Sequence, residues 1–493
     1  MDRYLNKCLF LWITLILTSP GFVMAGFGPE TWTEYRFNDK NNPVHNEAGV
    51  SPLKEKIFQT NDEIRATPVV AGNRLFVGNH NSGDLFAFDL RSGEQLWTNQ
   101  APNWVHSEMI YADGKVFVGF GNRFYKNNGV RGTGDSGVMA LDAETGREVW
   151  TFPTDGEVMP TPVYIEGQVY AVTGDDHLYK IDAHTGEGGK TVDLGSEVSM
   201  SSPNYSDGNI FVGGGGPKPY TFYSVDLNNE EIEWKKPMEN VIAGLDDVPP
   251  VLSDDLVVTT ALEQEKPLSF KEVFDRYGAI QVYKEMVKSI VGEAIGKPRK
   301  TYPEHKIYAM EQETGKIVWQ DSLGVGDMVK NNKSGAPMIY DGKVFVGSPI
   351  TKTFYAYDLK TGKRVWDYEN TIMKAPPVAS EGVVYFSNAK GYVHALDAEN
   401  GEEIGIKQLG GTLAPSGPVI VNETLFVGSQ NHNVYAIPTE NIQEASDPYE
   451  EELNQGKGYW NYLFQVFLLP AGIVAGFIFL GLFLFVKKRK TAH

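Results

Sequence analysis

The residues of this 493-residue chain that could carry chemistry are many acids, few histidines and a single cysteine. Lys plus Arg number 44 against 63 Asp plus Glu, a formal net charge of −19, so the basic face that phosphate binding needs is missing and nucleic acid is excluded as the main partner. Cys8 falls in a segment read below as removed. The remainder can then form no disulfide, cysteine-ligated metal, covalent haem or thiol nucleophile. The 9 histidines are scattered without His-x-His or His-Glu-x-x-His spacing, so no metal site is expected. Gly174-Asp175-Asp176-His177 and Gly134-Asp135-Ser136-Gly137 gather acids but read first as polar hairpin turns. Gly213-Gly214-Gly215-Gly216 has neither Gly-x-Gly-x-x-Gly spacing nor a following helix, which argues against a phosphate cradle. Five ionisable residues stand apart: Arg65, His106, Glu108, Asp247 and Lys374 sit at matching or adjacent places of a repeated pattern. There they would line the mouth of a central channel, as a ligand or partner site or as plainly solvated charges.

The elements that would position them recur about every forty residues. Phe86-Ala-Phe-Asp89-Leu-Arg-Ser-Gly93-Glu-Gln-Leu-Trp97 returns as Met139-Ala-Leu-Asp142-Ala-Glu-Thr-Gly146-Arg-Glu-Val-Trp150 and as Tyr355-Ala-Tyr-Asp358-Leu-Lys-Thr-Gly362-Lys-Arg-Val-Trp366. Further copies centre on Asp182, Asp226, Glu311 and Asp397, with a truncated one at Tyr435. Alternating apolar residues predict a third strand, and Asp-x-x-Thr-Gly predicts a tight turn whose glycine takes φ > 0. A fourth strand ends in a tryptophan that fills the gap to the next unit. Upstream halves such as Asp341-Gly-Lys-Val-Phe-Val-Gly347, each after a Pro-apolar pair, supply two more strands. Four short strands per unit and eight units predict an all-β, eight-bladed propeller. Its last blade lacks a fourth strand, which Leu53–Gln59 would supply, removing the open edge. Aligned on the residue three before each pair, the blades read Arg65, His106, Met159, Met200, Asp247, Ser334, Lys374 and Pro415. Units that agree elsewhere diverge here.

These phrases resemble the PQQ-like tryptophan-docking repeat, with the pattern Ala-x-Asp-x-x-Thr-Gly-x-x-x-Trp, and Trp32-Thr-Glu-Tyr-Arg-Phe-Asn-Asp39 resembles the lead-in before such propellers. The resemblance covers about 400 residues. It implies docking roles for Trp97, Trp150, Trp234, Trp319 and Trp366. It leaves function open, because the repeat builds both quinoprotein alcohol dehydrogenases and BamB-type scaffold lipoproteins, the latter without cofactor. The dehydrogenases use adjacent cysteines, a calcium held by acids and amides, and an aspartate base, and neither the cysteines nor a calcium constellation is found. The expectation is therefore a binding or scaffold module with no catalytic residue and no cofactor. A PQQ- and calcium-dependent oxidoreductase is the alternative.

The remaining segments set the topology. Residues 1–25 read as a signal peptide, with Arg3 and Lys7 before an apolar run and Val23-Met-Ala25 before the cut; ten or so apolar residues are too few to span a bilayer. The propeller occupies 26–442 and an acidic linker 443–458. Residues 459–486 carry no charge and predict one transmembrane helix, preferred over a buried core helix. Lys487-Lys-Arg-Lys490 in the tail 487–493 places the C-terminus in the cytoplasm and the propeller on the extracytoplasmic side of the cell membrane. Residues 1–25 carry +1 and the tail +4, which leaves −24 on 26–486. Long loops at Gly121–Gly137, Gly213–Thr221 and Glu263–His305 share one face, where a protein partner would bind. The last loop is helical, with an apolar stripe of Val273, Ile280, Tyr283, Val287, Ile290 and Val291 and Ser269 as its cap. It reads either as a cap packed on its own ring or as a docking element.

Overall fold

The computed structural model describes residues 31–47, 53–122, 135–253, 255–331, 333–442, 459–475 and 478. Eight sheets form the blades; seven are antiparallel with their strands in chain order, and the eighth takes two strands from near the start of the chain. The first blade runs Val69–Ala71, Arg74–Gly78, Asp84–Asp89 and Gln95–Gln100. In the eighth, Val419–Val421, Thr424–Ser429 and Asn433–Pro438 are completed by Lys56–Gln59, which pairs antiparallel to Asn433–Pro438 with Lys56 opposite Ala436. The ring is closed by an early segment, as the missing strand required.

The repeated phrase works through its turn. Asp142 Oδ1 accepts from Thr145 N and Oγ1, and these bonds, the hydroxyl's first, hold the carboxyl below its usual range. Gly146 then takes φ 68°, and a Cβ there would lie 2.4 Å from the Trp97 ring of the preceding blade. Trp97 Nε1 donates to Ala143 O at 3.0 Å. The same docking joins Trp150 to Ala183 O, Trp234 to Gln312 O, Trp319 to Leu359 O and Trp366 to Ala398 O. Each tryptophan stands third from the start of the fourth strand, or fourth in Trp234's case, and none closes it. This corrects the expectation from the repeat that the tryptophan ends the strand. A register shift after the turn sets Trp97 opposite Ala87, and the strand continues to Gln100.

Three seams lack the tryptophan. In blade three Lys190 takes its place and pairs with Asp155 at 3.0 Å and Asp175 at 2.8 Å. Blade seven has Gly405 opposite Ala395. In blade eight the place falls to Lys56, whose Nζ donates to Leu90 O at 3.0 Å and Arg91 O at 2.5 Å of the blade-one turn. No phrase in the sequence marks Lys56, because its strand is borrowed from far upstream.

The insertion of blade five is shorter than 263–305. Strands Leu256–Pro267 and Thr301–Glu311 stay paired out to Pro267 and Thr301, so the ladder absorbs both ends. Between them lie helix α1, Phe270–Tyr277, and helix α2, Ala279–Val291. Ser269 and Glu272 form a reciprocal capping box, and Gly278 at φ 78° separates the helices. Val273, Phe274 and Val282 pack on Leu268, Tyr302 and Val325 of the ring. The stripe read from periodicity is mostly outside: Ile280, Tyr283, Val287, Ile290 and Val291 are exposed, while Val282 and Glu285 are buried.

The C-terminal helical stretch 459–475 touches this insertion. Tyr462 meets Phe274 edge-on at 5.4 Å, Val466 joins the same cluster, and Tyr283 Oη donates to Val466 O at 2.5 Å. Among the described residues no helix is long and apolar enough to cross a membrane. The expected signal peptide 1–25, the expected linker 443–458 and tail 487–493, and the end of the expected span lie outside the described residues.

Candidate functional site: the channel mouth and the clasp below it

Each blade's first strand lines the central channel, and as the inner edge of its sheet it carries backbone groups with no partner strand of their own. A stretch from Trp32 to His45 uses these groups. Trp32 exchanges two backbone bonds with Tyr111 of blade two, and Thr33 O accepts from Tyr164 N of blade three. Asp39 O accepts from Asn204 Nδ2 of blade four and Leu252 N of blade five, and Lys40 O from Ile339 N of blade six. Asn42 Oδ1 accepts from Ala379 N of blade seven, and Pro43 O from Ile420 N of blade eight, beside which Val44–His45 adds a short parallel strand. Blades two to eight are thus tied in chain order by one clasp. Its curl needs left-handed backbone at Arg36, Phe37 and Asn41 (φ 53°, 73° and 51°), a conformation costing about 1–2 kcal/mol per non-glycine residue.

Arg36 is the clasp's centre. Fully buried, it donates from Nη2 to Pro377 O at 2.6 Å and Pro418 O at 3.0 Å, and from Nε to Asn41 O at 3.1 Å. Its backbone N–H donates to Glu108 Oε1, which also accepts from Trp32 Nε1 at 3.2 Å. Burial pushes the Glu108 carboxyl up to about 7, against the lowering by these bonds and by the Arg36 charge, and burial brings Arg36 down to about 10. Glu108 therefore borders the channel as a buried partner of the clasp, and it is no solvated rim charge. Sequence reasoning saw Trp32–Asp39 only as a lead-in. The signal available was a polar run, Arg36-Phe-Asn-Asp-Lys-Asn-Asn42, with no strand alternation.

Above the clasp a cavity opens, with about 490 Å³ of empty space counting its open side. Its walls include all eight divergent residues, Arg65, His106, Met159, Met200, Asp247, Ser334, Lys374 and Pro415, together with Glu108, and Tyr35 of the clasp. All five ionisable candidates line this cavity. Arg65 Nε and Nη2 donate to Glu63 Oε2, and its Nη1 forms no hydrogen bond among the described residues. Lys374 Nζ donates to Lys330 O at 2.6 Å and Asn331 O at 2.9 Å; burial first, then the Arg65 charge, lowers its pKa. Burial and Arg65 also bring His106 down to about 4, a neutral imidazole packed edge-on against His80 at 5.3 Å. Asp247 Oδ2 accepts from Lys333 N at 3.1 Å.

One supporting residue carried no sequence signal. His305, buried and pushed down to about 3 by desolvation, bonds Ser334 Oγ at 2.7 Å through Nε2 and Ser348 Oγ at 2.8 Å through Nδ1. It fixes the serine that blade six gives to the mouth. The acidic cluster of blade three is a braced turn, since Asp175 accepts from Tyr179 Oη at 2.9 Å and pairs with Lys190. Among the described residues no three His, Cys, Asp or Glu gather as a metal site would require.

Docked tryptophans, a borrowed closing strand and a channel stoppered at one end define a PQQ-like, eight-bladed β-propeller. The chain belongs to the family described as outer membrane protein assembly factor BamB, whose model matches residues 32–133, 124–213 and 301–457; the stretch between, with the helical insertion, is unmatched. A tetrathionate hydrolase of Acidithiobacillus ferrooxidans is 26% identical over 481 residues, covering 87% of this chain and 90% of that protein. The outer membrane protein assembly factor BamB of Burkholderia pseudomallei is 22% identical over 383 residues, covering 75% and 83%. Among solved structures, the quinohemoprotein alcohol dehydrogenase from Comamonas testosteroni superposes with a TM-score of 0.54 at 13% identity, covering 83% of this chain and 80% of that one, a likeness of fold.

Proposed function

We propose that the channel mouth is a binding site for a small, multiply charged anion, and that tetrathionate or a related polythionate is its ligand and hydrolytic substrate. The observation that carries this reading is the convergence of the eight divergent inner residues on one blind cavity, with Arg65 and Lys374 as its two cations. Two cations close enough for the Arg65 charge to act on Lys374 suit a multiply charged anion. Met159 and Met200 offer polarisable contacts to a sulfur chain between them. The end-to-end match to a tetrathionate hydrolase supports the same ligand class. Asp247, the mouth carboxylate not bonded to the clasp, accepts from Lys333 N and pairs with Lys333 Nζ at 3.8 Å, and on this reading it takes the proton from an attacking water. The test is calorimetric titration of the full chain with tetrathionate and thiosulfate, alongside tetrathionate consumption. Binding lost in both Arg65→Ala and Lys374→Ala supports the reading. No heat and no turnover at millimolar tetrathionate overturns it.

A second reading, a scaffold for a protein partner, is favoured by the family match. The partner would sit on the face of the long loops, and crosslinking of the intact chain would find it. Neither reading uses PQQ with calcium. Among the described residues the mouth has two carboxylates, Glu108 is taken by Trp32 and Arg36, and no acid-and-amide set is left there for the metal. The chain is proposed to be exported and held in the cell membrane by 459–486, with its basic tail cytoplasmic. The charge-free run, the helical course of 459–475 and the flanking lysines support this.

A further inference from the structure

We propose that helix α2 of the blade-five insertion is a membrane-docking surface, lying in the interface of an anionic phospholipid bilayer beside the C-terminal helix. It rests on the reading of 459–486 as an anchor and adds a second attachment. Ile280, Tyr283, Val287, Ile290 and Val291 recur at helical spacing and are exposed, Ile290 to 82% and Ile280 to 75%, while Val282 and Glu285 on the other side are buried. A folded ring does not leave such a stripe in water without a use for it.

Two observations choose the occupant. The first is continuity. Tyr283, on the exposed stripe, hydrogen-bonds to Val466 O of the C-terminal helix, which itself exposes Phe467 and Leu468 and leads into the rest of the charge-free run. A bilayer that receives that run meets α2 at the same level. The second is charge. Residues 268–300 hold 7 Lys and Arg against 4 Asp and Glu, a basic patch on a chain of net −19. Glu285 is taken up by Lys288 at 2.8 Å and Arg299 at 3.4 Å, and Lys271 pairs with Asp275. Lys284 and Lys297 are exposed and form no ion pair among the described residues. Basic residues flanking an apolar helical stripe that includes Tyr283 are the composition of a helix that lies in a headgroup layer. An acidic protein surface would pair with the lysines but would gain nothing from the isoleucines. A second copy of this chain would set basic patch against basic patch. The insertion lies beside the loop that leads to Lys374, since α1 and Glu369–Ile372 line a common cleft. Docking therefore turns the mouth face of the ring toward the lipid.

The experiment places a spin label at Ile290→Cys in a Cys8→Ser background, in the full chain reconstituted into nanodiscs with about one-third anionic lipid. Collision rates with oxygen and with a water-soluble nickel chelate are compared with a control label at Val149→Cys, an exposed blade-two position. High oxygen and low nickel access at Ile290, at a depth of about 5–10 Å, is the expected result. A label open to nickel overturns the proposal while the chain still co-purifies with the disc, which leaves the anchor reading intact. A label closed to both reagents means a protein or a second copy covers α2, and also overturns it. A chain that never enters the disc sinks the anchor reading, and the same label is then read after mixing with anionic vesicles, where nickel access removes the docking proposal as well.

Discussion

The two ends of the central channel are built from the same eight inner strands and are finished in opposite ways. At the lower end the blades offer what they share, backbone carbonyls and N–H groups, and a single segment from Trp32 to His45 pairs with seven of them in turn. At the upper end they offer what differs, eight unlike side chains around one cavity. Shared backbone groups can be tied by one strap at a regular pitch, which gives rigidity. Unlike side chains cannot repeat a contact, but together they can make a site with direction and charge. Stability belongs to the clasp end, and the recognition proposed above would belong to the mouth end.

Arg36→Ala should break the comparison hardest. It leaves Pro377 O, Pro418 O and Asn41 O without a donor inside the ring, and buried acceptors left unpaired cost about 1–3 kcal/mol each, so that about 3–5 kcal/mol is expected. Denaturant unfolding should show a loss at or above that range; a loss below about 1 kcal/mol would make the clasp an ornament. Trp366→Ala should cost about 3–5 kcal/mol through the cavity it leaves at the seam. Its counterpart in the borrowed strand, Lys56→Ala, should cost only about 1 kcal/mol, since a part-buried cation with two carbonyl partners is lost there. Equal costs would mean that the seams, and not the borrowed strand, are misassigned.

Glu108 sharpens the boundary between the two ends. Its carboxyl, pushed up to about 7 in the fold from an ordinary 4.5, binds its proton more tightly folded than unfolded. The stability it contributes is complete below about pH 4.5 and is lost as pH rises through 7. Melting curves of Glu108→Gln should lack that decline, so the difference between variant and wild type should grow from pH 4.5 to 7; a constant difference would place Glu108 in water. The smallest effect on stability belongs to Arg65→Ala and Lys374→Ala, about 1 kcal/mol or less, since each is half-buried and loses one carboxylate or two carbonyl partners. The same variants should lose tetrathionate binding. A large stability loss with binding kept would reverse the assignment of the two ends.

The mouth was legible in the sequence because a repeat carries its own alignment. Once the Asp-x-x-Thr-Gly turns are in register, the inner positions fall into one column, and Arg65, His106, Asp247 and Lys374 stand out by disagreement. Glu108 was legible as an exception, but its burial was not, since the groups that bury it lie 72 and 76 residues away along the chain. Periodicity also found the helical insertion, yet it could not say which side of α2 packs. Val282 faces Tyr302 and Val325 because of where blade five ends, and the longer stripe was left outside.

Sequence by itself determined the blade count, the tryptophan seams, the borrowed strand and the column of mouth residues, because each follows from local periodicity or from counting strands. Tertiary structure decided the clasp, the role of Lys56 and the exposure of α2. Arg36 bonds partners 341 and 382 residues distant, and Lys56 meets a turn of blade one only after its strand has joined blade eight. Such contacts are fixed by closure of the ring, which brings the chain's beginning and end together in a geometry that no local pattern of residues encodes.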